Sequence, residues 1–262
     1  MKKATTIEEQ ITIIRDRGII LDYSEEKCKE ILSDIGYFRF GYYCFPFEID
    51  YPNKINRTHQ YKAGSYFSEI VALYYFNSNL SNILLKYIAR IEINIRTAII
   101  YIVSNHYPES PTWFADPKVM NKIYLSKLSE SYDKLKSRHQ VLKDHHKKHI
   151  NDRYAPAWKT IEYFSFGAIQ TLYSSINSEE LKKVVAQRYE LKSPKVFKNY
   201  FNIIVTLRNL RSEERRVGKE CRSYALIQMY YSTNIYHLLL LRDPLLKWMI
   251  KTNISYIATL ML

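Results

Sequence analysis

Glu92 and Arg96 are the first candidates for chemistry in this sequence, because they combine opposite charges at a spacing of four residues. In a helix this spacing brings the two side chains together, with the acid in the favourable N-terminal position. The surrounding segment is strongly apolar, and a charged side chain on a buried helix needs a partner or a cleft. An arginine held beside a carboxylate in a cleft can bind phosphate. The pair is therefore either a structural ion pair or a phosphate clamp, and the sequence leaves both open.

Three histidines, His145, His146 and His149, lie in the segment KDHHKKHI. His145 and His149 are one helical turn apart, a spacing with which metalloproteases bind zinc. Those enzymes also need a glutamate directly after the first histidine, and here His146 takes that position. The neighbouring lysines repel a cation, so the pattern favours an exposed basic surface over a metal site.

The same stretch, residues 134–153, is basic throughout and has Tyr132, Tyr154 and Trp158 nearby. Basic side chains can follow a phosphate backbone, and aromatic rings can stack on bases. An ordinary exposed helix face has the same composition, so both interpretations remain. The sequence has no glycine-rich phosphate loop, Ser/His/Asp signature or paired carboxylates, which disfavours kinases, the common hydrolases and dinucleotide enzymes. We expect no metal and no cofactor.

Composition predicts a helical protein with an anionic partner. Hydrophobic residues make up 47% of the 262 residues, while only 6 are Gly and 8 are Pro, which favours long helices over a turn-rich β-sandwich. A net charge of +13 favours nucleic acid or a membrane surface as partner. Three cysteines without disulfide or metal spacing, a polar N-terminal segment and no long uncharged apolar run predict a cytoplasmic protein without a signal peptide or membrane span.

Capping residues predict where several helices start and stop. Thr6 and Glu9 form a capping-box pattern that opens a helix running to Arg17, and Ser24 starts a second helix that stops at Gly36. Further N-caps are predicted at Asp116, at Asn177 or Ser178, and at Ser193.

Apolar periodicity predicts the longer elements. A long helix opens at Ser65 and continues past residue 100, with a kink or division possible at residues 77–79. Residues 158–176 read as one helix, and the last apolar helix ends on Arg208 and Asn209. The aromatic stretch 35–50 indicates a short hairpin or a packed loop, between which periodicity does not decide.

Six segments in order resemble the Abi family of abortive-infection phage-resistance proteins, of the AbiD/AbiF type and related to the HEPN ribonucleases. They are TIEEQITIIRDRGI, IGYFRFGYYCFPFE, YKAGSYFSEIVALYYFNSNL, IARIEINIRTAIIYIVSNHY, APAWKTIEYFSFGAIQTLY and VTLRN. The resemblance spans residues 5–209. It implies an all-α, HEPN-like helical bundle with long central helices and an N-terminal helical and aromatic extension.

This chain departs from the family pattern at three positions. Asn77 and Ser81 stand where the family often has Asp and Arg. The family's catalytic pattern is R-N-x-x-A-H, and here Arg208 and Asn209 are followed by Glu213 at the position of the histidine.

Residues 211–223, RSEERRVGKECRS, resemble the translation of a common sequencing adapter. The alternative is a charged loop particular to this lineage. We therefore predict a single Abi-like helical domain over residues 1–210 and an artefactual or unrelated C-terminal tail over residues 211–262.

The resemblance implies metal-independent cleavage of RNA by a toxin that halts growth of infected cells. A histidine deprotonates the 2′-hydroxyl, which attacks the adjacent phosphate, while arginine stabilises the developing negative charge. By this resemblance Arg208 stabilises the phosphate and Asn209 orients the site, with Arg96, Glu92 and Glu162 as further residues of the same cleft. For Glu162 the alternative is a buried partner of a backbone donor or an arginine.

The resemblance further implies a homodimer, with a phage-derived trigger or an antitoxin as possible partners. Because glutamate is a weak base at neutral pH, we expect this chain to be inactive or impaired as a nuclease. The alternative is a non-catalytic RNA- or protein-binding defence or regulatory factor.

Overall fold

Helices form almost all of the regular structure. In a computed structural model of the protein, residues 3–53 and 55–213 are described, the last four of them by their backbone alone. These residues contain ten α-helices and no β-strand, which confirms the predicted all-α class; the HEPN-like type stays a prediction. The helices are α1 (Ile7–Asp16), α2 (Glu25–Ile35), α3 (Tyr37–Cys44), α4 (Phe67–His106), α5 (Lys122–Arg138), α6 (Gln140–Lys148), α7 (Ala157–Thr160), α8 (Phe166–Ser175), α9 (Glu179–Gln187) and α10 (Pro194–Glu213).

Contacts divide the chain into two units, one up to Leu85 and one from Lys86, and α4 runs from the first into the second. The division near residue 85 does not test the predicted domain boundary at residue 210. The tail from 214 to 262, with Cys221, lies outside the described residues, so a single domain over 1–210 with a separate tail stays a prediction.

Local capping builds the first two helices as predicted. The Thr6 hydroxyl accepts from the Glu9 amide, and the Glu9 carboxylate accepts from the Thr6 amide at 2.7 Å. The Ser24 hydroxyl caps α2 by accepting from the Lys27 amide, and Gly36 ends the helix at φ 83°, a conformation that favours glycine. Both capping predictions are confirmed. They could be made from the sequence because each cap depends only on residues within one turn.

The aromatic stretch forms helix α3, so neither a hairpin nor a packed loop is correct. Phe40 and Cys44, four residues apart, are both 1% exposed and place one helical face in the core of the first unit. The Cys44 thiol donates to the Phe40 carbonyl. Phe40 also stacks on Phe67 with ring centroids 4.9 Å apart. The helix forms because this short face is buried against neighbouring elements. Its apolar periodicity covers only about two turns, which is too short to predict a helix from the sequence.

The polar stretch after α3 is a loop, and a buried carboxylate fixes it. Glu48 is 0% exposed and accepts from Arg57 Nε at 2.7 Å, while His59 Nδ1 lies 3.1 Å from the same carboxylate. The Glu48 and Tyr61 backbones pair as an antiparallel bridge. Charge pairing therefore closes this loop onto the first unit.

Helix α4 is continuous over 40 residues and has no break at residues 77–79. Asn77 and Ser81 are each 4% exposed; the Asn77 amide donates to the Tyr43 hydroxyl at 2.8 Å, and the Ser81 hydroxyl donates to the Asn77 carbonyl at 2.8 Å. Because these polar side chains have partners, they do not interrupt the helix. The predicted apolar stripe is buried in its C-terminal half at Ile88, Ile91, Ile95, Ala98 and Ile99.

Two predicted boundaries in the second unit are wrong. Helix α5 begins after Asn121, whose side chain accepts from the Tyr124 amide, while Asp116 caps only a short turn. Residues 158–176 are not one helix, because the chain turns at 161–163 and Ser165 caps α8. Trp158, at the start of this segment, is 49% exposed.

Aromatic packing holds α8, α9 and α10 together. Phe197 and Phe201 of α10 are 0% exposed, and their ring centroids lie within 6.4 Å of Tyr173, while Tyr189 stacks on Phe197 at 5.4 Å. Helix α10 was predicted to end at Asn209 but continues through Glu213. The core of the second unit therefore anchors the helix that carries Arg208.

Candidate functional site

Arg96 is a nearly buried cation held by two elements. Its side chain is 10% exposed, and its Nη2 donates to Glu92 Oε1 at 2.9 Å and to the Phe164 carbonyl at 3.1 Å. Its Nη1 lies 3.9 Å from Glu162 Oε2. Three of the predicted site residues, Glu92, Arg96 and Glu162, are thus brought together.

Two local features place these groups. Helix α4 presents Glu92 and Arg96 one turn apart. After α7 the chain makes a single 3₁₀ turn, Ile161–Tyr163, in which Ile161 is 0% exposed. Phe164, the next residue, has an extended conformation with ψ 136°. Its carbonyl therefore lies outside the helical segments on either side and accepts a hydrogen bond from Arg96. The break in the predicted helix is therefore what supplies the acceptor.

Within the described residues, part of the Arg96 guanidinium has no hydrogen-bond partner. None of these residues binds its buried Nε, and Nη1 lies too far from Glu162 for a hydrogen bond. Glu162 lies beside an arginine, which agrees with one of the two predicted roles. Its side chain is 52% exposed, however, and therefore is not the buried partner that this role assumed. The cluster combines an anchored cation with one guanidinium nitrogen, Nη1, that makes no hydrogen bond to the described residues.

Arg208 and Asn209 lie near the C-terminal end of α10. Leu207 is 6% exposed and fixes this part of the helix in the core, whereas Arg208 is half-buried and Asn209 exposed. Arg208 Nη1 lies 3.5 Å from Asn209 Oδ1. Among the described residues no hydrogen bond or ion pair joins Arg208 to the Arg96 cluster, so the assignment of both to one cleft stays a prediction. Glu213 belongs to the helix, but its side chain lies outside the described part.

The histidine-rich segment was predicted to be an exposed basic surface, but it is partly buried. The His145 side chain is 4% exposed, its Nε2 lies 3.1 Å from Asp152 Oδ2, and its ring stacks on His149 at 4.6 Å. Its Nδ1 is buried and has no hydrogen-bond partner among the described residues. A search over the described residues finds no cluster of three or more His, Cys, Asp or Glu arranged to hold a metal ion.

A second histidine takes part in a hydrogen-bond network with Tyr132. The Tyr132 hydroxyl accepts from the Ala155 amide at 2.7 Å and lies 2.7 Å from His146 Nε2. The direction of the bond between Tyr132 and His146 depends on the histidine tautomer, because a hydroxyl can both donate and accept. Burial raises the pKa of Tyr132, which keeps the hydroxyl protonated. No local sequence pattern indicates this network, because its members come from α5, α6 and the loop before α7.

We expect the free energy of unfolding to fall as pH drops from 7.5 to 5.5. Burial lowers the pKa of His145, with His149 and Lys159 adding repulsion, and burial together with Lys136 lowers the pKa of His146. An unfolded histidine takes up its proton near pH 6.5, so below that pH protons favour the unfolded chain. Full stability is present above pH 6.5.

Urea midpoints at the two pH values measure this effect. The double variant His145→Asn/His146→Gln serves as control, because it carries no titrating group at either position. An equal shift in the double variant would contradict the assignment.

A partly exposed aromatic pair lies next to the Arg96 cluster. His139, in the extended link between α5 and α6, stacks on Tyr163 with centroids 4.0 Å apart and an interplanar angle of 22°. Both rings are partly exposed. Tyr163 stands between Glu162 and Phe164, both of which face Arg96. Sequence reasoning named Tyr132, Tyr154 and Trp158 as the aromatic residues of this surface and missed this pair, since its partners are 24 positions apart.

Among the described residues no helix is both long enough and apolar enough to cross a membrane. A family model described as "Abi-like protein" matches residues 30–217. No curated protein and no solved structure matches the chain.

Proposed function

Since the chain belongs to the Abi-like protein family, whose function is abortive infection in defence against phage, we propose that it exerts this defence on RNA. The net charge of +13 supports a polyanionic partner. The observation that carries the proposal is the Arg208–Asn209 pair near the end of α10, in a chain whose family match includes this helix.

The chemistry we propose for the intact site is metal-independent cleavage of the RNA backbone of the HEPN type. A histidine at position 213 removes the proton of the 2′-hydroxyl, and the oxygen attacks the neighbouring phosphorus, with departure of the 5′-oxygen of the next nucleotide. Arg208 stabilises the negative charge that builds up on the phosphate oxygens. Asn209 orients the site by side-chain hydrogen bonds.

The path of α10 supports this arrangement. The helix is unbroken from Pro194 to Glu213, so Asn209 and position 213 lie one turn apart on the same face. Arg208, five positions before residue 213, is also within about one and a half turns. A helix that ended at Asn209 would not fix position 213 relative to Arg208.

Glu213 makes this chain deficient in the proposed reaction. A carboxylate with a pKa of about 4.3 is a weak base at neutral pH and repels the phosphate it would approach. We therefore propose that the chain binds RNA but cleaves it poorly. Growth arrest in bacteria provides the test in cells: Glu213→His should arrest growth, and the same variant with Arg208→Ala should not. Equal growth of both would argue against the proposal.

Arg96, Glu92 and Glu162 form a second group in the proposal, as residues that contact or position RNA. The anchored guanidinium of Arg96 supports this, because its Nη1 makes no hydrogen bond to any residue that the structure describes. We also propose that two copies pair, and that a phage-derived trigger or an antitoxin controls them; light scattering of the purified chain tests the pairing.

A non-catalytic RNA-binding factor is the second candidate. Residues 134–153 hold seven basic and two acidic side chains, and the Lys134 and Lys147 side chains are 64% and 71% exposed. Such a surface binds RNA through its phosphates without chemistry. Salt-sensitive RNA binding that survives Arg208→Ala, with no growth arrest by Glu213→His, would favour this candidate over the nuclease.

A further inference from the structure

The 3₁₀ turn Ile161–Tyr163, together with Phe164, places two kinds of binding group side by side. Glu162 faces Arg96 Nη1, and the Phe164 carbonyl binds Arg96 Nη2. Tyr163 lies between these two residues and stacks on His139. Residues 162–164 therefore contact both a buried cation and a partly exposed pair of aromatic rings.

The Arg96 guanidinium is held in place, but only one of its three nitrogens donates hydrogen bonds to the described residues. Arg96 is 9% exposed, and both of its hydrogen bonds to the described residues leave from Nη2. The buried Nε has no hydrogen-bond partner in the described part of the chain, and Nη1 faces the Glu162 carboxylate at 3.9 Å. A phosphate oxygen, which accepts strong hydrogen bonds from guanidinium, would satisfy Nη1 better than Glu162 does.

Glu162 is able to give way to such an anion. Its side chain is 52% exposed, and among the described residues its contact is the long approach to Arg96. Rotation of this side chain into water costs little, because no buried hydrogen bond is lost. The carboxylate thus occupies the approach to Nη1 while no anion is bound there.

The ring pair gives a surface for a base. His139 and Tyr163 are nearly parallel at 22° and both are partly exposed, so a third flat ring can extend the stack. Lys136 and Arg138 immediately precede His139 and supply positive charge for a backbone. Bases are available for such stacking in a single strand and not within a duplex.

We propose that Arg96, Glu162, Tyr163 and His139 form a subsite for one nucleotide of single-stranded RNA. Its phosphate accepts from Arg96 Nη1 after Glu162 turns away, and its base stacks on the ring pair. This rests on the proposed action on RNA and adds the strand type and the residues that recognise it. Glu162 and Tyr163 are adjacent in the chain, so their Cα atoms lie about 3.8 Å apart and the two parts of the subsite are close together.

Binding of a fluorescein-labelled ten-nucleotide oligouridine to the full chain, followed by fluorescence anisotropy, tests the subsite. Glu162→Gln removes the competing charge and should tighten binding about threefold more than Glu130→Gln, a matched control whose side chain is 78% exposed on α5. Tyr163→Ala should weaken binding about tenfold, while Tyr163→Phe, which keeps the ring, should stay within about twofold. Thermal unfolding of each variant identifies any loss of fold.

Three results would overturn the subsite. These are equal affinities for Glu162→Gln and Glu130→Gln, equal affinities for Tyr163→Ala and Tyr163→Phe, and equal competition by a ten-base-pair RNA duplex. If the unmodified chain binds the oligouridine in a salt-sensitive way, any of these results removes the subsite and leaves the proposed action on RNA standing. If it binds no RNA even at low salt, both fall.

Discussion

A Glu213→His variant is expected to cleave RNA at least about 100-fold faster than the unmodified chain, because it restores a general base at the position where the family pattern has one. The intact α10 backbone through residue 213 makes the substitution a local one. The measurement is cleavage of a labelled single-stranded RNA with EDTA present, since the proposed reaction needs no metal. Product should carry a 2′,3′-cyclic phosphate, because the 2′-hydroxyl is the nucleophile.

Two control variants separate base catalysis from a simple change of charge. Glu213→Gln removes the same negative charge but supplies no base at neutral pH, so it should remain near the activity of the unmodified chain. Glu213→His combined with Arg208→Ala should return to that level, because the developing phosphate charge loses its partner. Equal rates for the His and Gln variants would contradict the mechanism. So would strong cleavage by the unmodified chain that Arg208→Ala abolishes.

An Arg96→Leu variant is expected to lower the free energy of unfolding by about 2–4 kcal/mol. The change leaves the Glu92 carboxylate, only 18% exposed, and the Phe164 carbonyl without their shared donor. Urea unfolding followed by circular dichroism measures the loss. Arg90→Leu is the matched control: it makes the same substitution at an exposed position of α4 and should stay within about 0.5 kcal/mol.

Arg96→Lys refines this result. Lysine keeps the charge but not the planar fork that serves Glu92 and Phe164 together, so we expect an intermediate loss. Arg208→Ala, at a half-buried position, should change stability much less than Arg96→Leu while removing the activity gained by Glu213→His. Equal stability of Arg96→Leu and Arg90→Leu would contradict the anchoring role of Arg96.

Helix starts that depend on neighbouring residues were predictable. Thr6, Ser24, Ser178 and Ser193 each accept from an amide three residues ahead, as expected from the sequence. The energy of such a cap arises within one turn, so the sequence around it holds all the information.

Elements selected by distant contacts were not predictable. Helix α3 depends on burying Phe40 and Cys44 against other helices, with Phe40 stacked on Phe67, and α5 starts after Asn121, whose amide donates to the Ser175 carbonyl. The break at residues 161–165 depends on Arg96 taking the Phe164 carbonyl, while Ser165 caps α8 locally. In each case a partner 27 or more positions away changes a choice that local propensity leaves open.

The all-α class, the Glu92–Arg96 pair and the family to which the Arg208–Asn209 motif belongs could be predicted without a structure. They follow from composition, from a four-residue spacing and from motif order, which are all properties of the linear sequence. The burial of Arg96, its bond to the Phe164 carbonyl and the contact of Tyr163 with His139 depend on tertiary packing. Those contacts join residues that are 24 to 68 positions apart, and the packing of helices alone brings them together.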